Sequence, residues 1–295
     1  VKRYTAKGMT PQMINEIVML STLRHPAIMR PLHFRRERGV EIVMPRGQDM
    51  RDAPPADPSG HLLQVLQGLN YLHSRDIIHG DIKSENVLVV DGAALIIDFG
   101  GSLRDVGQDM TQICTEEICA PEQLYCPGPM TSAVDMWAFG RLIQELVHDA
   151  EWLRLADECL YLAPERRITA EDALLRFDVK EEVYETHEFV PVRKAATEEA
   201  RAWLAQAIKK CAFHAETENT AVEIYERAVA AGRPAIPCTI IAAIFIASCS
   251  IESNDVNTIK RIIDESRKRA PPPTVKAVED EVWSTLSALE FKILQ

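Results

Sequence analysis

The stretch "IIHGDIKSENVLVVDGAALIIDFGG", residues 77–101, decides how this chain is read. Two apolar runs, "NVLVV" and "ALIID", flank Asp91-Gly92. That dipeptide favours a two-residue hairpin turn, whose central residues both need positive φ. Asn86 lies five residues before Asp91 and Asp98 six after Gly92, so the returning strand brings Asp98 beside Asn86. An amide oxygen next to a carboxylate suits Mg²⁺, a hard cation that takes oxygen ligands. Asp81 precedes Asn86 by five residues and Lys83 follows Asp81 by two, on the loop entering the same place. A carboxylate to orient or deprotonate a hydroxyl, an ammonium for a γ-phosphate and two metal ligands are the parts that phosphoryl transfer needs. An ordinary polar loop between strands would have to collect all of them by chance.

Composition sets the wider frame. The 295 residues are 46% hydrophobic, enough for a sizeable core and, by length, for two domains. A formal net charge of -11 argues against binding to a phosphate backbone, which rewards clustered Lys and Arg, so no direct nucleic-acid contact is expected. Seven cysteines without a C-x-x-C pair fit a reducing intracellular compartment, cytoplasm or nucleus, better than a disulfide framework. The longest apolar run, "IPCTIIAAIFIASC" at 236–249, is too short to span a bilayer and reads as a buried helix. No secretory signal is seen, and a start at Val1 rather than Met leads to the expectation of an incomplete N-terminus.

Pattern divides the chain. Over residues 1–178 short apolar runs such as "VEIVM" alternate with helical periods such as "HLLQVLQGLNYLHS", predicting a mixed α+β domain. Residues 179–197 are charged and weakly periodic and read as a linker. From 198 to 295 only helical periods appear, predicting an all-α domain of five short helices.

The motifs of residues 1–178 resemble those of eukaryotic-type protein kinases. The resemblance implies ATP and Mg²⁺ as cofactors and protein substrates, and Lys83 two residues after Asp81 follows the serine/threonine pattern. It implies Asp81 and Lys83 as catalytic residues and Asn86 and Asp98 as metal ligands. Lys2 in "VKRY" matches the strand lysine on the α- and β-phosphates, and Glu16 in "MINEIVML" its helix partner. "APE" is Ala120, Pro121 and Glu122, whose carboxylate would pair with Arg167. Asp135 in "SAVDMWAFG" would brace the catalytic loop, and Leu20, His79 and Phe99 would stack in an apolar column. The pattern is most similar to cyclin-dependent kinases, in "GMTPQMINEIVMLSTLRHPAIMRPL", "MTSAVDMWAFG" and "VMPRGQDM". That similarity implies Val43 as gatekeeper, the backbone of Met44 and Arg46 against adenine, and Asp49 near the ribose.

Several places depart from that family. No glycine-rich loop precedes Lys2, and the chain between "WAFGRLIQELV" and Arg167 is too short for the usual docking helix and insert. Cys119 replaces the arginine that favours proline after the target residue, while Thr115 keeps the place of the threonine that orders the substrate-binding segment. The three arginines that clamp an activating phosphothreonine are Asn15, Gly80 and Leu103 here. The threonine's own place is Met110, with Thr111 adjacent and Arg104 near. Loss of donor and recipient together implies a switch other than phosphorylation.

Residues 198–295 resemble a cyclin box in "ARAWLAQAIKKCAF", "ENTAVEIYERAVAAG", "TIIAAIFIASCSIES" and "TVKAVEDEVWSTLSALEFKIL", with Arg201 and Glu226 at its bracing pair. Cys249 stands where cyclins carry a kinase-contacting lysine, and Val282, beside Glu281, where they carry the partner glutamate. Kinase and cyclin box in one polypeptide is similar to fusions encoded by large DNA viruses, an analogy at fold level. The sequence therefore predicts a serine/threonine kinase of cyclin-dependent type, regulated in cis through residues 10–16. The alternative is a pseudokinase-cyclin module that binds cell-cycle or transcription partners.

Overall fold

A computed structural model describes residues 2–4, 10–36, 40–51, 57–104, 118–125, 130–177, 179, 198–211, 213, 215–231, 237–251, 262 and 274–293. The places at Met110, Thr111 and Thr115 lie outside them. Packing groups the chain into two compact units. The first is Val1–Lys2, Leu23–Arg35 and Glu41–Thr186; the second is Arg3–Thr22, Arg36–Val40 and His187–Gln295.

In the first unit, α2 (Pro58–His73) opens on Asp57, whose carboxylate accepts the Gly60 N–H at 3.0 Å, with Pro58 in the first turn. Leu62, Val65, Leu66, Leu69 and Leu72 recur at helical spacing and are fully buried. That face packs on the hairpin of β6 (Val87–Val90) and β7 (Ala93–Ile96) through β7. The hairpin turns at Asp91 (φ 49°) and Gly92 (φ 83°), both left-handed as a two-residue turn of this type requires. β4 (Gln48–Asp49) adds to β6 antiparallel, giving the strand order β4-β6-β7. The segment after the first helix is tied to the same sheet: Ile96 N–H reaches Ala27 O at 2.8 Å and Met29 N–H reaches Ile96 O at 3.0 Å.

α4 (Ala133–Leu146) is buried around most of its circumference, through Val134, Asp135, Met136, Ala138, Phe139, Leu142 and Ile143. Its exposed positions are confined to one side, at Arg141, Gln144 and Glu145. Only Val147, His148 and Asp149 separate it from α5 (Ala150–Cys159), which packs against it. The docking helix and insert whose absence the spacing predicts have no room between these elements. α6 (Ala170–Arg176) closes the unit against α2, capped by Thr169.

α3 (Pro121–Tyr125) is fixed by one ion pair. Arg167 donates to both carboxylate oxygens of Glu122, at 2.5 and 2.7 Å, and to the carbonyls of Tyr161, Leu162 and Ala133. Its side chain is fully buried, so the fork geometry of guanidinium on carboxylate is satisfied away from water.

The second unit contains α1 (Pro11–Thr22), α7 (Glu198–Cys211), α8 (Ala215–Ala230), α9 (Pro237–Ile251) and α10 (Val275–Ile293). α9 is its centre: residues 242–248 are all buried, and it contacts α1, α7, α8 and α10. The small side chains of "AAIFIAS" let neighbours approach on every side. Thr239 donates to the Glu281 carboxylate at 3.0 Å inside this core, and Val282 is fully buried. Met13, Ile14 and Ile17 of α1 are buried, and α1 contacts α9 and α10.

Arg167→Ala leaves the Glu122 carboxylate and three carbonyls without their donor. It is expected to lower the stability of the first unit by about 3 kcal/mol, the scale for breaking a buried pair, read as a lower urea midpoint at unchanged slope.

Candidate active site

The loop between β5 (Ile77–Ile78) and β6 is held from below by one carboxylate. Asp135, in the first turn of α4 and fully buried, accepts the His79 N–H at 2.8 Å and the Gly80 N–H at 2.7 Å. His73, at the end of α2, donates from Nε2 to the same Asp135 oxygen at 2.9 Å. Burial alone would raise the Asp135 pKa. The His73 hydrogen bond and charge, the nearby His79 and the Gly80 N–H outweigh it and hold the carboxyl below its ordinary 3.8. Gly80 has φ 81°, a left-handed backbone that costs a residue with a Cβ about 1–2 kcal/mol. Glycine at this position avoids that local strain.

His79 links the loop to the hairpin. Its Nδ1 accepts the Asp81 N–H at 3.3 Å, which leaves Nε2 protonated to donate to Ile97 O at 2.9 Å. The ring meets Phe99 edge-on, centroids 5.0 Å apart, as the column predicts for that pair. Ile97 N–H in turn reaches Asn86 O at 2.9 Å. With Val87 opposite Ile96, the hairpin register sets Asn86 and Asp98 just beyond the last paired rung, as the spacing predicts.

The remaining polar groups converge. Lys83 Nζ donates to Asp81 Oδ2 at 2.6 Å, and Asn86 Nδ2 donates to the same oxygen and to Asp81 O, both at 2.8 Å. The Asn86 amide nitrogen is thereby committed to Asp81, which fixes the amide oxygen as the group's acceptor end. Asp98 sits at φ 67°, ψ 66°, and Lys2 Nζ, on β1 (Lys2–Tyr4), donates to its Oδ1 at 2.7 Å. Burial raises the Asp98 pKa, but the hydrogen bond and charge of Lys2, with His79 and the Gly100 N–H, keep it below its ordinary value. An ionised carboxylate and an oriented amide oxygen fit a Mg²⁺ donor set, completed by phosphate and water oxygens.

Other predicted places are distributed as follows. Val43 ends β3 (Val40–Val43), the neighbour of β2 (His33–Arg36), and its carbonyl accepts the Leu32 N–H at 2.7 Å. Met44 and Arg46 lie on the irregular segment that follows, and Asp49 pairs with Leu88 in the sheet. Glu16 is fully buried on α1 in the second unit, while Lys2 belongs to the first. At the clamp places, Asn15 is buried on α1. Leu103, in β8 (Leu103–Arg104) paired with β5, packs on the apolar cluster of Ile78, Ala120, Met130 and Val134.

Three features had no signal in the sequence reading. His73 lies six residues before His79 without a motif to mark it. Ser84 Oγ donates to Glu145 Oε1 at 2.8 Å, a partner 61 positions away. Arg51 pairs with Glu85 at the rim of the loop.

The protein kinase domain family matches residues 1–154, more than half of the chain, and the chain belongs to that family. It is 32% identical to an Aurora kinase of Schizosaccharomyces pombe over 147 residues, covering 46% of this chain and 41% of that protein. It is 41% identical to cyclin-dependent kinase F-3 of Oryza sativa subsp. japonica over 88 residues, covering 29% and 20%. With human cyclin-dependent kinase-like 4 it shares 33% over 147 residues, covering 45% and 39%. The chain thus spans about two fifths or less of the length of these curated relatives.

The sign of the pH effect follows from the Asp135 shift. A depressed folded pKa means stabilisation that is complete above the ordinary 3.8 and is lost as pH falls through the lower folded value. Asp135→Asn should therefore flatten the pH dependence of stability below pH about 4, followed by circular dichroism. Gly80→Ala should cost about 1–2 kcal/mol in the same denaturation assay, from its φ alone.

Proposed function

We propose that the chain is a Mg²⁺- and ATP-dependent serine/threonine protein kinase of cyclin-dependent type. The observation that carries the reading is the Asp81 carboxylate oriented by Lys83 and Asn86, one hairpin rung from Asp98. In this reading Asp81 orients the acceptor hydroxyl and receives its proton, while Lys83 offsets charge on the transferred phosphoryl group. Lys2 holds the phosphates, and Val43, Met44, Arg46 and Asp49 frame the nucleoside. Bound Mg²⁺, held by Asn86 and Asp98, supplies neutralisation of phosphate charge.

The assignment to the cyclin-dependent type rests on the motif likeness, since relatives named for Aurora, mitogen-activated and cyclin-dependent kinases match at similar identity. Regulation in cis by residues 198–295 as a cyclin box completes the proposal. It is supported by α1 packing on α9 and α10 with Ile14 fully buried. A tether supplies an effective concentration of order mM, enough to keep a weak interface engaged. Apolar Leu103 and buried Asn15 and Gly80 in place of three arginines support activity without segment phosphorylation.

The test is transfer from radiolabelled Mg-ATP to a serine/threonine peptide library. Asp81→Asn should lower turnover about 10²–10⁴-fold with an unchanged melting curve. Absence of transfer by the wild-type chain to any peptide would establish the binding module instead.

Ile14→Asp, a charge placed in the α1 interface, should lower transfer about tenfold, as deletion of 198–295 should, while the first unit stays folded. Equal turnover by the shortened and full chains would reassign the helical unit to recruitment. Thr111→Ala should keep rates within about twofold, and a large loss with phosphothreonine found by mass spectrometry would contradict phosphate independence.

A further inference from the structure

α4 touches the catalytic loop at both of its ends. Asp135 in its first turn holds His79 and Gly80, and Glu145 in its last accepts from Ser84, the loop residue two before Asn86. Ser84 is 1% exposed, so its hydroxyl has little water to turn to. Its carbonyl also accepts the Met50 N–H at 3.1 Å, beside β4. Two carboxylates face the single hydroxyl proton, Glu145 at 2.8 Å and Glu85 at 3.2 Å. Glu85 already accepts from Arg51, whose hydrogen bond and charge help hold its pKa low against burial, so the shorter bond to Glu145 takes the proton.

The geometry between the two anchors is constrained. Ten residues of helix put Asp135 and Glu145 about 15 Å apart along the axis of α4. The four steps from Gly80 to Ser84 cover at most about 14 Å of extended chain. Lys83 is in fact extended, at φ -162°, ψ 166°. The loop is thus anchored at two points on one helix, and Asp81 and Lys83 are the residues it carries between them.

We propose that Ser84 and Glu145 are positioning residues, a second brace that acts with Asp135 to hold Asp81 and Lys83 in their working arrangement. The inference rests on the kinase reading for its catalytic consequence and on geometry alone for its mechanical one.

Two measurements on the full chain separate them. Hydrogen-deuterium exchange of the peptide covering residues 79–86 should quicken about tenfold in Ser84→Ala and in Glu145→Ala, and no further in the double variant, because one bond is removed in each. Steady-state kinetics should show kcat about tenfold lower, with KM for ATP within about twofold because Lys2 is untouched. Glu145→Gln, which keeps an oxygen acceptor, should recover most of both losses.

Unchanged exchange in Ser84→Ala overturns the brace, and so do additive effects of the two alanine variants. Loosened exchange with unchanged kcat overturns the positioning role. An inactive wild type with the predicted exchange pattern sinks the kinase reading and leaves the mechanical brace established.

Discussion

A buried carboxylate cannot remain ionised without donors, and Asp135 has three: two backbone N–H groups of the catalytic loop and the His73 imidazole. The cost of leaving that charge unsatisfied is what binds the loop to α4. From His79 the chain of hydrogen bonds runs through Ile97 to Asn86, and from Asn86 to Asp81. Asp81 and Asn86 are thereby oriented through neighbours whose own placement goes back to this helix, while Lys2 and Asp98 hold each other. Such networks are rigid when fully satisfied, and they propagate damage when one member is lost.

Glycine at position 80 permits φ 81° without strain. In the same unit, apolar Leu103 packs on the cluster of Ile78, Ala120, Met130 and Val134. Neither residue offers a fork-shaped donor. The contacts of α4 hold the loop from the interior.

The sequence made the hairpin legible because turn chemistry is local: Asp91-Gly92 dictates the register, and the register sets Asn86 and Asp98 just past its last paired rung. The partnership of Glu122 with Arg167 was legible through resemblance, at a separation of 45 positions that no periodicity could bridge. Ser84 and Glu145 were not legible, since a serine and a glutamate 61 positions apart carry no local pattern and meet only because α4 passes under the loop. The direct Lys2–Asp98 bond also had no signal in the sequence. Side-chain partners of that kind depend on tertiary distances, whereas strands and helices follow from neighbours in the chain. The grouping of α1 with the C-terminal helices depends on long-range packing that no local pattern marks.

That grouping has a consequence for how the molecule is made. α1 ends at Thr22, and its principal partner α9 begins at Pro237, about 215 residues later. At a ribosomal pace of 5–20 residues per second, the apolar face of Met13, Ile14 and Ile17 waits roughly 10 to 40 s for the helix that covers it. Throughout that interval the nascent chain presents an uncovered hydrophobic segment, while the elements between Leu23 and Arg176 can already collapse on one another. Long-range closure of this kind slows folding and favours capture by chaperones, so synthesis rate becomes a determinant of yield.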